Sequence, residues 1–127
     1  MSISRHYVLA AGGTGGHLIP AFALGQELLH RGHHVALITD ERGAKIPGAP
    51  EKIATHILPA GRITKSPGSW LPGVKAIAEG RLMARRLYDS FEPSAVVGFG
   101  GYPAFPALLG AFAENVPTII HEQNAVL

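Results

Sequence analysis

Apolar positions fall in short unbroken bursts along this chain. Most bursts are followed by a stretch in which apolar residues return every three or four positions. "HYVLAA" (6–11) is a continuous apolar run ending on glycines, the pattern of a strand buried on both faces. In "HLIPAFALGQELLHRGH" (17–33), Leu18, Ala21, Leu24, Leu28 and Leu29 recur at helical spacing, and Gly32 is placed as a stop. "HVALIT" (34–39) predicts a second buried strand. Residues 40–54 keep neither period and predict an exposed loop or a broken helix, and "THILPA" (55–60) predicts a third strand. "GRITKSPGSWLPG" (61–73), dense in Gly, Pro and Ser, predicts irregular chain.

The second half repeats the alternation. Over 74–91, Ile77, Ala84, Leu87, Tyr88 and Phe91 line one helical stripe. "SAVVGF" (94–99) predicts a fourth strand running into a second glycine turn, "GFGGYP". Residues 103–115 predict a helix with Pro106 in its first turn, where proline is tolerated. "VPTIIH" (116–121) predicts the fifth strand. Strands alternating with helices predict an α/β fold: a Rossmann-like parallel sheet covered by helices on both faces. Right-handed crossovers then give the strand order 3-2-1-4-5. Both glycine turns, 12–16 and 98–101, would open at the crevice where the chain reverses between strands 1 and 4.

Composition narrows this picture. A length of 127 residues suits one domain, and 46% hydrophobic with 16% charged residues fits a packed core and excludes general disorder. There is no cysteine, so neither a disulfide framework nor a thiolate metal site is available. No signal-peptide core precedes Gly12, and the longest apolar run, "PAFPALLGAFA" (103–113), falls short of the about 20 residues that span a bilayer. A soluble chain is expected. The net charge of +2 conceals a basic block: Arg62, Lys65, Lys75, Arg81, Arg85 and Arg86 stand against Glu79 alone within 62–86. Such a block attracts phosphate groups, or is an ordinary solvated helix face. Nucleic acid fits poorly, because aromatics are not interleaved with the charges and the whole chain is nearly balanced.

The stretch with the most chemistry is "AAGGTGGH" (10–17). Glycines packed behind a strand serve a tight turn or the close approach of a ligand, and their place at the switch point favours a ligand. The amides of residues 13–17 would open outward at a helix N-terminus, where an anion such as a diphosphate is favoured. A nucleotide-hydrolysing P-loop is excluded, because His17 and Leu18 stand where GxxxxGK[ST] needs Lys and Ser or Thr. The dinucleotide fingerprint fits only partly: from Gly13 it meets Leu18 at the third glycine, and from Gly12 it meets Thr14. Asp40 is placed either to bind a ribose or to cap a loop. An NAD-type cofactor domain is therefore the alternative reading.

"GGTGGHLIPAFAL", "GFGGYPAFPALLGA" and "PTIIHEQNAV", in this order and spacing, resemble the N-terminal half of the MurG family of bacterial glycosyltransferases. The resemblance runs from about residue 6 to the last residue. It implies the N-terminal Rossmann-like domain of a GT-B enzyme that moves N-acetylglucosamine from UDP-N-acetylglucosamine to the 4-hydroxyl of lipid I, making lipid II of peptidoglycan. The acceptor's diphosphate would lie on Gly13, Thr14, Gly15, Gly16 and His17, with Gly100, Gly101 and Tyr102 opposite. The donor sugar would touch Thr14, Gly15, Gly16 and Asn124, and the nucleotide would be held by a C-terminal domain. The resemblance implies no cofactor and no metal.

The implied reaction needs a base within reach of the acceptor hydroxyl. His17 is the first candidate: a helix N-terminus disfavours a cation and so suits a histidine that must accept a proton. The other reading is that His17 only binds phosphate or caps the turn. His121 and Glu122, at the end of the fifth strand, would orient groups or share the base role, or be structural. His6, His30, His33, His34 and His56 show no metal-binding spacing.

Lipid I sits in the cytoplasmic leaflet, so the resemblance also implies a peripheral enzyme on the cytoplasmic face of the inner membrane. Its membrane contact would be Trp70, Leu71, Val74 and Leu82, with Lys65, Lys75, Arg81, Arg85 and Arg86 around them for anionic lipid. Glu79, Ala76 and Ala78 interrupt that patch, and Trp70 packed on its own domain is the competing reading. Residues 1–127 correspond to the acceptor-binding domain alone. The chain is expected to be inactive by itself, either as part of a longer enzyme or as a half that works with a second chain. A non-catalytic membrane adaptor is the third class, separable because its lipid binding would ignore changes at Gly15 or His17.

Overall fold

The computed structural model describes residues 3–59, 70–101 and 103–121, with only the backbone at 70–72. Five strands form one parallel sheet: β1 (His6–Ala10), β2 (His34–Thr39), β3 (Ala54–Ile57), β4 (Ala95–Gly98) and β5 (Thr118–Ile120). Their order is β3-β2-β1-β4-β5, as the alternation predicts. In register, Val8 lies between Ala36 and Val96, and Leu9 between Leu37 and Val97.

The period of two along β1 divides the core in two. Val8 and Ala10 join Ala36, Ile38 and Val96 on one face, under Ala84 and Tyr88 of α3 (Trp70–Phe91) and Ala104, Ala107 and Ala111 of α4 (Ala104–Ala113). Leu9 and Ala11 join Val35, Leu37, Val97 and Phe99 on the other, under Leu18, Ala21 and Phe22 of α1 (Gly15–His30). The chain moves one way across the sheet from β1 to β3 and the other way from β4 to β5. Right-handed crossovers therefore put α1 on one face and α3 and α4 on the opposite face.

Three expectations are corrected. The irregular stretch predicted over 61–73 ends earlier, because α3 starts at Trp70; Pro72 then sits in the first turn, which loses no hydrogen bond to proline. The third strand, expected over 55–60, runs from Ala54 to Ile57, while the short helix α2 (Glu41–Ala44) agrees with the broken helix expected within 40–54. The helix after the first glycine turn starts at Gly15, three residues before the apolar period begins at Leu18, because backbone hydrogen bonding and not burial sets its first turn. Pro106 lies in the first turn of α4, as expected.

α3 and α4 are joined by two polar links. The Tyr88 hydroxyl donates to the Ala107 carbonyl at 2.8 Å inside the core, and burial pushes this phenol well above the ordinary tyrosine range. Arg85 Nε donates to Glu114 Oε1 at 2.8 Å near the end of α4.

Candidate functional site

The two glycine turns meet backbone to backbone at the C-terminal ends of β1 and β4. Phe99 N–H donates to the Ala10 carbonyl at 2.8 Å, and Gly12 N–H donates to the Gly100 carbonyl at 2.9 Å. Gly100 and Gly101 have φ of +105° and +85°, in the left-handed region that favours glycine. A Cβ on Gly101 would also lie 2.5 Å from Gly12 Cα. These two glycines are thus required by the fold.

Gly15 is different. Its φ is unremarkable, and a Cβ there would find only Ile19 Cδ1, at 3.8 Å. The fold has room for a side chain at this position, so the space at the head of α1 remains for something else.

The amides expected to open outward do so only in part. Gly13 N–H donates to Asp40 Oδ2 at 3.2 Å, Thr14 N–H to the Gly12 carbonyl at 2.7 Å and His17 N–H to the Thr14 carbonyl at 3.2 Å. The loop satisfies its own polar groups, and these three are spent on it. Among the described residues, no group accepts from the Gly15 amide. An anion at this helix end would meet the first turn at Gly15.

Asp40 does not fit the ribose role. Its Oδ1 accepts from Gly43 N–H at 2.7 Å, capping α2, while Oδ2 holds Gly13. Both carboxylate oxygens serve the fold, which corrects the cofactor-domain alternative. Sequence reasoning missed the Asp40 link to the glycine loop because it joins residues 27 apart.

His17, in the first turn of α1, stands over the second glycine turn. Its Nδ1 is 3.2 Å from Thr14 Oγ1, and a Cβ on Gly100 would lie 2.9 Å from its Nε2. The topology thus brings together Thr14, Gly15, His17, Gly100 and Gly101. His121 follows β5 next door: its N–H donates to the Gly98 carbonyl at 2.8 Å, and its exposed ring is 5.3 Å from that of Phe99. Tyr102, Glu122 and Asn124 lie outside the described residues. No group of three His, Cys, Asp or Glu that could hold a metal occurs among the described residues.

The outward face of α3 carries Val74 and Leu82, exposed at 56% and 47%, so neither is needed by the core. Lys75 is 3.8 Å from Glu79, and Arg85 is paired with Glu114, which leaves Arg81 and Arg86 as the exposed cations without an ion pair among the described residues of this helix. The side chains of Trp70 and Leu71, and Lys65, lie outside the described residues. Phe112 of α4, 59% exposed, is an apolar surface residue that sequence reasoning did not single out; its offset of seven from the equally exposed Phe105 was the available signal. No helix among the described residues is long and apolar enough to cross a membrane.

A doubly wound sheet with two glycine turns at its switch point and a histidine on the first helix turn defines a Rossmann-like domain. The model of the glycosyltransferase family 28 N-terminal domain matches residues 7–127, and the chain belongs to that family. It is 69% identical over 126 residues to the UDP-N-acetylglucosamine–N-acetylmuramyl-(pentapeptide) pyrophosphoryl-undecaprenol N-acetylglucosamine transferase of Novosphingobium aromaticivorans, covering 99% of this chain and 32% of that protein. The transferase of the same name from Erythrobacter litoralis is 68% identical, over 98% of this chain and 31% of its own length. Among solved structures, Acinetobacter baumannii MurG matches with a TM-score of 0.73 and 32% identity, over 95% of this chain and 36% of that one. The fold is that of the N-terminal domain of a GT-B glycosyltransferase. The chain spans about a third of the length of the curated relatives it matches.

Proposed function

We propose that this domain is the acceptor side of an inverting glycosyltransferase that moves N-acetylglucosamine from UDP-N-acetylglucosamine to the 4-hydroxyl of lipid I, yielding lipid II. The observation that carries this reading is the grouping of the His17 imidazole, the Thr14 hydroxyl and the uncrowded Gly15 at the switch-point crevice. The names of the relatives supply the substrates. The acceptor diphosphate lies at the head of α1, where the Gly15 amide and the helix dipole face it. Gly100 and Gly101 line the opposite wall, His121 extends the site toward the end of β5, and Tyr102, Glu122 and Asn124 take up substrate as the resemblance implies.

His17 removes the proton from the acceptor hydroxyl, and that oxygen attacks the anomeric carbon as UDP departs from the opposite face. Lipid I brings the enzyme to the cytoplasmic face of the inner membrane. Val74, Leu82 and Phe112 supply apolar contact there, with Lys75, Arg81 and Arg86 facing anionic headgroups.

The test is an NMR titration of the isotope-labelled chain with a short-tailed, water-soluble lipid I analogue, with NAD in a parallel tube. Amide shifts confined to residues 12–17, 98–102 and 121–124 with the analogue alone are expected. Shifts around Asp40 with NAD, and none with the analogue, would overturn the reading.

A further inference from the structure

We infer that Thr14 is a positioning residue for His17: its hydroxyl holds the imidazole in the Nδ1–H form and leaves Nε2 as the nitrogen that takes up the acceptor's proton. This rests on the proposed role of His17 as base.

Thr14 is the N-cap of α1, with extended backbone (φ −122°, ψ 152°), yet its side chain makes no capping hydrogen bond. An N-cap threonine ordinarily accepts from the amide two or three residues on. Here the amide three residues on, that of His17, goes to the Thr14 carbonyl, at 3.2 Å, and so does the Leu18 amide, at 3.1 Å. The hydroxyl is thereby released from capping and directed to the side chain of the same residue, with Oγ1 3.2 Å from Nδ1. Its place is fixed from both sides, because the Thr14 amide is tied to the Gly12 carbonyl at 2.7 Å while its carbonyl is tied into the helix.

The two ring nitrogens therefore differ in surroundings. Nδ1 has one hydrogen-bond partner among the described residues, Thr14 Oγ1. Nε2 lies beside Gly100, where a Cβ would crowd it at 2.9 Å, and it has no hydrogen-bond partner among the described residues. In a neutral imidazole one nitrogen carries the proton and the other accepts, and the hydrogen bond made by one decides the state of the other. A hydroxyl both accepts and donates. When Oγ1 accepts from Nδ1–H, Nε2 is a free base and the hydroxyl proton points onward into the crevice. If the hydroxyl donated to Nδ1 instead, Nε2 would carry the proton and have no capacity to receive another.

The experiment uses the full-length protein carrying this domain, labelled with 15N in its histidine rings, with His17→Gln to assign the His17 signals. At a pH where the ring is neutral, the wild type is expected to show protonated Nδ1 and bare Nε2. Thr14→Val is expected to reverse this, and Thr14→Ser to restore it. In turnover assays Thr14→Val should lower kcat about tenfold or more, as loss of an imidazole-orienting partner does elsewhere, and Thr14→Ser should recover most of it. A wild-type ring already protonated on Nε2, or ring shifts that Thr14→Val leaves unmoved, would overturn the inference. A His17→Gln protein with undiminished turnover would instead overturn His17 as the base, whichever nitrogen is protonated.

Discussion

Replacing Gly15 by alanine is expected to stabilise the domain while slowing the proposed acceptor chemistry about 100-fold. The backbone at Gly15 lies outside the left-handed region, and the added methyl would touch only Ile19 Cδ1 at the ordinary distance of 3.8 Å. Alanine at an unstrained helix position gains about 0.4–1 kcal/mol over glycine, mainly by restricting the unfolded chain. In a domain of this size that raises Tm by roughly 2–6 °C. The same methyl stands where an acceptor phosphate would approach the Gly15 amide at about 2.9 Å. Displacing the substrate by an ångström at a reacting centre costs on the order of 100-fold in rate, or ~2.7 kcal/mol.

The assays are urea unfolding of the chain, and kcat/KM of the full-length protein with UDP-N-acetylglucosamine and a soluble lipid I analogue. A Gly15→Ala protein with wild-type kcat/KM would refute the reasoning, since the missing side chain would then serve no ligand. A loss of stability of more than about 1 kcal/mol would refute it from the other side, by making this glycine structural. Gly101→Ala is the contrasting control. With φ at +85° and a Cβ 2.5 Å from Gly12 Cα, it should cost at least about 2 kcal/mol of stability.

Three further outcomes are expected. Thr39 is fully buried with no hydrogen-bond partner for its hydroxyl among the described residues, so Thr39→Val should keep or raise stability by up to about 1 kcal/mol; a loss of that size on denaturation would reveal a partner. The raised Tyr88 phenol contributes stability in full below the ordinary tyrosine range near pH ~10 and loses it as pH climbs further. Tyr88→Phe should therefore cost about 1 kcal/mol at pH ~7 and fall less steeply above pH ~10 than the wild type, and parallel urea series with equal slopes would count against this. Leu82→Glu should leave the fold intact, because the side chain is half-exposed, but weaken binding to phosphatidylglycerol vesicles at least tenfold in cosedimentation; unchanged partitioning would remove α3 from the membrane face.

The sequence by itself determined the sheet order and the place of both glycine turns and His17. Each follows from local period and from connection rules that hold for any right-handed parallel sheet. It did not determine which glycines serve the fold and which the ligand. Gly101 and Gly15 are the same letter, but only the folded chain puts Gly101 against the Gly12 backbone and leaves open space at Gly15. Asp40 shows the same limit. Its spacing from the glycines suits a ribose contact, and only the packing of α2 beside the first loop commits both its oxygens, one to Gly43 and one to Gly13. The pairing of Arg85 with Glu114 was equally hidden, since those residues are 29 apart and meet only because α3 and α4 cover the same face of the sheet. Hydrophobic period is written in neighbouring residues and survives as sequence. A side chain's partner depends on which distant backbone arrives beside it, and that is settled by the tertiary fold.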